Sequence, residues 1–179
     1  MIPFRTIAPI LLAAAGSLGC QRSPTDAEAE ALVRRYNALV SDAYRAGDFR
    51  AAQPVAGEDE IRRLAAHIGV RSDQGITLDA RLVEITFKKV ERKGGEAFVT
   101  TEERWHYLDR RIGSGEQVGQ ESRDQYVMRY HLKKADSGWI VLGTEFAEKP
   151  QVGRTEVPDR APATNLHGFD TVVPPGGPK

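Results

Sequence analysis

The chain has 179 residues, of which 40% are hydrophobic and 28% charged, values typical of one soluble globular domain with appendages. Lys and Arg together number 25, and Asp and Glu together also number 25, so the formal net charge is zero. A chain without excess positive charge has no long-range attraction to nucleic acid or acidic lipid, and we expect no nucleic-acid partner.

The first 19 residues have the pattern of a secretory signal. A short, weakly basic start ends at Arg5, and an apolar run covers residues 7–15. This run is too short to span a bilayer, which takes about 20 residues, and small residues follow it where cleavage would fall. We therefore predict a signal peptide over residues 1–19 and no transmembrane helix after it.

Cys20 is the only cysteine and directly follows the predicted signal. With Ser17-Leu18-Gly19 before it, Cys20 resembles the lipobox of bacterial lipoproteins, in which Leu is preferred where Ser17 stands. The resemblance implies that Cys20 carries diacylglycerol and palmitate-type acyl chains, which together give stable membrane attachment. The alternative is a secreted protein cut near Gly19 with a free thiol, a liability in an oxidising compartment.

The residue after Cys20 indicates which membrane the lipoprotein would be sorted to. Gln21 stands where the inner-membrane retention signal of many proteobacterial lipoproteins has Asp. The resemblance therefore implies the outer membrane, facing the periplasm, if the host is Gram-negative. We predict a lipid-anchored protein of the cell membrane with a tether over residues 20–24.

Two helices are predicted after the tether. Thr25-x-x-Glu28 has the capping-box pattern at the start of the first helix, which Gly47-Asp48 should end, and one more turn is expected at 49–52. The second helix is predicted over about 58–68 and should end at Gly69. Apolar stripes at helical spacing support both helices: Leu32, Tyr36, Leu39, Val40 and Ala43 in the first, and Ile61, Leu64, Ala65 and Ile68 in the second.

From Thr77 onwards the hydrophobic period is two, which predicts strands. Four strands, joined by turns at residues 93–95 and 136–138 and a loop at 113–115, predict an antiparallel meander. Helices followed by strands indicate an α+β domain over residues 25–147, with N-terminal helices packed on a curved four-stranded sheet. Val83, Ile85 and Phe87 should share one face of the first strand.

The C-terminal segment, residues 148–179, has a different composition. Six prolines interrupt it, and no hydrophobic period is sustained. Such a segment cannot bury enough apolar surface to offset its chain entropy, so we predict a disordered tail.

Two resemblances follow from these elements. The helix end at residues 43–48 and the strand Gly138-Trp-Ile-Val141 resemble the nuclear transport factor 2-like superfamily, which implies helices inside a bent sheet and a conical pocket. Thr100-Thr-Glu-Glu-Arg-Trp105 and Tyr126-Val-Met-Arg-Tyr130, with 138–141, look like the intermembrane-space domain of the plastid-division protein family and its bacterial relatives. This second resemblance implies an interaction module that accepts a peptide from a partner.

The candidate ligand or pocket residues lie on one face of the predicted sheet. An acidic residue among apolar neighbours is a candidate general base, and isomerases and dehydratases of the superfamily use an acidic or His residue near a tyrosine. Aromatic residues on strands are more often plain core. The candidates are Glu103, Trp105, Tyr107, Tyr126 and Tyr130, with Trp139 as a further aromatic residue.

For Glu103 we favour a structural interpretation. In that interpretation the carboxylate pairs with an arginine such as Arg123 or Arg129, or lies in water at the sheet edge. The four histidines lack ligand spacing, and no phosphate loop or serine-nucleophile motif is present. We expect no metal, no cofactor and no catalytic residue.

The sequence favours a membrane-anchored binding or protein-interaction module whose partner is an envelope protein, a peptide or a small hydrophobic molecule. One alternative is a structural accessory of an envelope complex. The other is an isomerase, dehydratase or hydrolase that uses Glu103 and a tyrosine. An enzyme requires a deep cavity with Glu103 inside it near a tyrosine hydroxyl, whereas a binding module requires an exposed apolar groove or patch.

Overall fold

The structure is a computed structural model that describes residues 23–148 and the backbone of residues 151–152. The predicted signal peptide, Cys20 and nearly all of the predicted tail lie outside the described residues. In the part of the chain that the structure describes, no helix combines the length and the apolar character that a membrane span requires.

Helix α1 spans Asp26–Ala46 and begins at the predicted capping box. The Thr25 hydroxyl accepts a hydrogen bond from the Glu28 N–H at 3.2 Å, and the Glu28 carboxylate accepts one from the Thr25 N–H at 2.7 Å. Two N–H groups that would otherwise lack partners are thereby satisfied. Gly47 ends α1 with a left-handed φ of 67°, and a 3-10 turn follows at Phe49–Ala52, as predicted.

The buried face of α1 differs in part from the predicted stripe. Leu32 and Leu39 are only partly buried, because the face that meets the sheet is rotated relative to them. The buried residues of α1 are Ala29, Val33, Tyr36, Asn37, Val40, Ser41, Ala43 and Tyr44.

Helix α2 spans Glu58–Asp73, and the prediction that Gly69 ends it is wrong. Gly69 lies inside the helix, where an added Cβ would meet nothing within 4 Å. The chain turns only at Gly75, which has a φ of 72°. An interior glycine costs a helix only about 1 kcal/mol relative to alanine. Burial of Leu64 and Ile68 before Gly69, together with the ion pair of Arg71 with Asp109 after it, can carry the helix through this position.

The four predicted strands form one antiparallel sheet in the order β1-β2-β3-β4. They span Ile76–Lys93, Glu96–Arg111, Gln117–Ala135 and Gly138–Phe146. A short fifth strand, β5 at Gln151–Val152, pairs with β3 at Asp124–Gln125, inside the segment predicted as a tail. The predicted α+β fold, with both helices packed on a curved four-stranded sheet, is confirmed.

The sheet face towards the helices carries the core. The predicted alternation on β2 is confirmed, because every second residue from Ala97 to Tyr107 is buried. On β1 the prediction fails at Val83, which is 53% exposed. Register shifts after Leu82 and Phe87 interrupt the alternation there, and such bulges turn single side chains away from the face that their neighbours share.

A buried carboxylate at the outer edge of β1 fastens α1 to the sheet. Asp79 accepts hydrogen bonds from Arg81 at 2.7 Å and, at 3.3 Å, from Arg45 of α1 and Arg110 of β2. The bonds from Arg81, reinforced by those from the other two arginines, lower the pKa of Asp79 to about 2. At the opposite edge, the segment before α2 covers β4, since the Gly57 N–H donates to the Val141 carbonyl at 2.7 Å.

Two glycine-to-alanine substitutions test the observed helix boundaries. Gly69→Ala should stabilise the protein by about 0.5–1 kcal/mol, because it removes backbone freedom inside a helix with open space around the new methyl group. Gly47→Ala should destabilise it by about 1 kcal/mol, because alanine tolerates a positive φ poorly. Urea unfolding measures both, and a loss of stability in Gly69→Ala would contradict the observed helix.

Candidate functional site

The side chain of Glu103 is fully buried on the inner face of the sheet. Its Oε2 accepts a hydrogen bond from Trp105 Nε1 at 2.8 Å, and its Oε1 accepts from the hydroxyls of Tyr130 at 2.5 Å and Thr101 at 2.7 Å. Asn37 of α1 adds an Nδ2 donor to Oε1 at 3.3 Å. Donors from α1, β2 and β3 therefore meet at one carboxyl group.

Simple periodicities bring these residues together. Thr101, Glu103 and Trp105 are at alternate positions of β2 and so point to the same face of the sheet. Tyr130 lies on the inner face of the neighbouring strand β3, and Asn37 lies on the buried face of α1. Glu103 is thus surrounded by polar groups that helix and strand spacing place on buried faces.

The prediction that Glu103 pairs with Arg123 or Arg129, or lies in water at the sheet edge, is wrong. Strand alternation places both arginines on the other face of β3, where they approach Glu121 at 3.7 Å and Glu145 at 3.6 Å. Neutral hydrogen-bond donors, not an arginine, satisfy the Glu103 carboxyl group.

Tyr130 connects this cluster to α1. Its hydroxyl lies 3.1 Å from Asn37 Oδ1, and its ring contacts Tyr36 edge-on with the ring centroids 5.9 Å apart. Burial raises the pKa of Tyr130 well above its usual range, and the neighbouring Glu103 raises it further. Tyr130 therefore remains a neutral hydrogen-bond donor at physiological pH.

The candidates Tyr107 and Tyr126 belong to a neighbouring cluster. The Tyr126 hydroxyl donates to Asp124 Oδ2 at 2.9 Å, and the two tyrosine rings lie 6.5 Å apart. Trp105 stacks on Tyr107 with the centroids 5.9 Å apart, which links the two clusters. Burial raises the pKa of Asp124 and of both tyrosines above their usual values.

A buried ion pair that the sequence reasoning missed connects α2 to its neighbours. Glu60 Oε1 lies 2.5 Å from Arg63 Nη2 and also accepts a hydrogen bond from the Tyr36 hydroxyl. Arg63 reaches β4, where it donates to the Thr144 carbonyl at 3.2 Å. Both members of the ion pair come from the same turn of α2, and their side chains leave the helix on its packed side.

The cavity beside this ion pair has a volume of about 10 Å³. That space holds about one water molecule, whereas sites for small molecules typically measure about 300–1,000 Å³. Glu103 does not line it. The lining residues are Tyr36, Val40, Tyr44, Glu60, Arg63, Leu64 and His67.

The surface of the described part offers isolated apolar residues. The exposed large hydrophobic side chains among residues 23–148 are Val70 of α2, Val83 of β1 and Ile112 of the β2–β3 loop, each just over half exposed. The outer face of the sheet carries cross-strand ion pairs such as Lys88–Glu102 at 2.5 Å. Among these same residues, no group of three His, Cys, Asp or Glu side chains could hold a metal ion.

Several solved structures superpose in part on the described domain. The intermembrane-space region of the chloroplast protein ARC6 superposes with a TM-score of 0.57 at 14% identity, covering 70% of this chain and 98% of that one. A periplasmic fragment of TraM gives 0.48 at 12% identity, covering 68% and 96%. The β subunit of benzoate 1,2-dioxygenase from Burkholderia mallei gives 0.42 at 13%, covering 70% and 91%.

The similarity to the ARC6 region shows a shared fold. It agrees with the fold that the sequence motifs of β2, β3 and β4 implied. No family model matches the chain, and no curated protein matches it.

Replacement of Glu103 by glutamine tests the role of the buried carboxyl group. An amide nitrogen that faced Trp105 would oppose the indole N–H, which cannot accept a hydrogen bond. In the other orientation it would replace Oε1, the acceptor that the hydroxyls of Tyr130 and Thr101 now share. We expect Glu103→Gln to lower the free energy of unfolding by about 3 kcal/mol. Urea unfolding monitored by fluorescence measures the loss.

Glu102→Gln is the matched control for this substitution. Glu102 is adjacent on β2 but belongs to the outer face, where it pairs with Lys88 near solvent. The control should change stability by less than about 1 kcal/mol. If Glu103→Gln and Glu102→Gln lowered the free energy of unfolding equally, the buried hydrogen bonds of Glu103 would not contribute more to stability than a surface ion pair.

Proposed function

We propose that the protein is an envelope lipoprotein, anchored through acyl chains on Cys20, whose domain acts as a binding or protein-interaction module. In a Gram-negative host the anchor would be in the outer membrane, with the domain in the periplasm. The partner would be an envelope protein or a peptide that contacts the outer surfaces of the domain.

The packing around Glu103 is the observation that carries this proposal. An enzymatic role for Glu103 needs a carboxyl oxygen that can reach a substrate, as well as a nearby tyrosine hydroxyl. Tyr130 supplies the hydroxyl, but both carboxyl oxygens of Glu103 already bind protein donors, and the carboxyl group is fully buried. Buried aromatic side chains occupy the inner face, which favours contacts on the outside over chemistry within. The exposed apolar side chains of residues 23–148 are isolated and form no groove, so a protein surface that is recognised in part through polar contacts, or an accessory role in an envelope complex, fits better than a pocket for a small hydrophobic molecule.

The proposed cellular location of the protein rests on the N-terminal sequence. The apolar run, the small residues before Cys20 and the single thiol together support lipidation. The ARC6 region is by description an intermembrane-space domain. A location between membranes is part of the proposal for this chain as well.

Replacement of Cys20 by serine tests the anchor. The wild-type protein should sediment with membranes, and mass spectrometry should find its mature N-terminus at Cys20 with about three acyl chains. Cys20→Ser should appear in the soluble fraction or as the uncleaved precursor. Ser23→Ala, a change of similar size outside the lipobox pattern, should behave as wild type. An unmodified Cys20 in soluble wild-type protein would refute the anchor.

Site-specific photo-crosslinking in intact cells tests the interaction module. A photoreactive residue at Val70, Val83 or Ile112, the exposed apolar positions, should give the same identified partner in repeated experiments. Arg62, a 69% exposed polar position on α2, serves as the control.

The purified partner should then bind the purified chain. Aspartate at the position that crosslinks should weaken that binding about tenfold or more, as expected for loss of a central apolar contact. If none of the three positions gave a reproducible crosslinked partner, the proposed protein-interaction role would be contradicted.

A further inference from the structure

Strand β3 has one edge that is only partly covered. Along its first edge it pairs with β2, including Asp124 with Trp105, so β4 and β5 lie along the second edge. On the second edge β4 covers residues 128–135, and β5 covers Asp124 and Gln125. Within the described part of the chain, residues 117–123 have no strand partner on this edge. Backbone N–H and C=O groups that are left uncovered at a sheet edge favour the addition of another strand.

A buried carboxyl group beside this uncovered edge is only half satisfied. Asp124 is 8% exposed on the inner face of β3, and its Oδ2 accepts a hydrogen bond from the Tyr126 hydroxyl. Its Oδ1 is also buried and has no hydrogen-bond partner among the described residues. Burial raises the pKa of Asp124 above its usual value. A buried carboxylate is stabilised when a donor reaches each oxygen, and a charged donor stabilises it most.

The chain itself runs towards this place with a cation. Strand β5 is antiparallel to β3, and its last residue, Val152, lies opposite Asp124. The chain therefore continues from Val152 towards the uncovered residues of β3. Two further residues in the same register would place Arg154 opposite Ser122.

Strand geometry determines the direction in which Arg154 would point. Ser122 and Asp124 are two positions apart on β3, so their side chains belong to the same, inner face. Residues directly opposite each other share a face, and diagonal neighbours lie about 7–8 Å apart, within reach of a long side chain. Arg154 would therefore be the diagonal neighbour of Asp124, with its guanidinium able to reach Oδ1.

We propose that residues 153–155 extend β5 along the uncovered edge of β3 and that Arg154 forms an ion pair with Asp124. The planar guanidinium suits a carboxylate that lacks one donor. The first proline after β5 is Pro158, so each residue of the added strand has an N–H to donate. The added strand would also cover an edge that could otherwise pair with another chain.

Paired cysteines test the register of the added strand. The experiments use residues 20–179 with Cys20→Ser, which removes the only native thiol. Ser122→Cys/Arg154→Cys should form an intramolecular disulfide on mild oxidation, because the Cβ atoms of directly opposite residues are only about 4.5–5.5 Å apart. The control Ser122→Cys/Thr155→Cys should form at least about tenfold less, because adjacent side chains of a strand point to opposite faces. Mass spectrometry of the unreduced peptides measures both disulfides.

Substitution of Arg154 tests the ion pair. Arg154→Gln should lower the equilibrium constant for folding about tenfold, because a buried carboxylate loses its charged partner. Arg160→Gln, which removes the same charge beyond Pro158, should leave the constant unchanged. In an Asp124→Asn background, Arg154→Gln should have little further effect, since the two residues would no longer be coupled. Urea unfolding measures each variant.

Each contrary result has a defined meaning. Equal trapping of both cysteine pairs would show that the segment has no fixed register, and equal stabilities of Arg154→Gln and Arg160→Gln would exclude the ion pair. A disulfide between two chains would assign the uncovered edge to a second copy, and no disulfide at all would leave it to a strand of another protein. All four results would overturn the proposal. None bears on the lipidation of Cys20, which the tested chains lack.

Discussion

The fold depends on a carboxyl group that has no contact with solvent. Transfer of an ionisable group from water into a protein interior costs several kcal/mol unless hydrogen bonds replace its hydration. Glu103 is compensated by donors from α1, β2 and β3, so all three elements must be in place together. Apolar packing alone would tolerate small shifts of α1 across the sheet, whereas this network admits only one arrangement.

Two other buried carboxyl groups also link separate elements of the fold. Asp79 joins α1 to β1 and β2 through three arginines, and Glu60 joins α2 to α1 and, through Arg63, to β4. Each carboxyl group thus fastens a helix to a different part of the structure. The polar groups of the interior are consequently used to hold the elements of the fold together.

The order and type of the elements could be predicted from the sequence, because hydrophobic period, capping box and glycine turns are local signals. The prediction for Gly69 was wrong because tertiary contacts outweighed the local stop signal: Ile68 is buried just before Gly69, and Arg71 pairs with Asp109 of β2 just after it. The prediction that Val83 shares a face with Ile85 and Phe87 was wrong, because a bulge is a property of two paired strands and has no local signature in the sequence.

The site was predictable only in part. Strand alternation placed Glu103 and Trp105 on one face, but the partners of Glu103 come from other elements. Asn37 could have been found as a polar residue within a buried helical stripe, between Val33 and Val40. That its amide would meet Glu103, however, depends on how α1 crosses the sheet, and the sequence contains no direct signal for that angle.

The chain enters and leaves the domain at opposite ends of β3. The chain enters at Pro24, which contacts Arg92 near the end of β1, and the pairing register places Lys133 of β3 at this same end. The short strand β5 pairs with β3 at Asp124, nine residues before Lys133. At about 3.3 Å per residue this separation is roughly 30 Å. The domain therefore separates its two chain ends: the segment that follows Val152 begins about one strand length away from the point where the chain enters at Pro24.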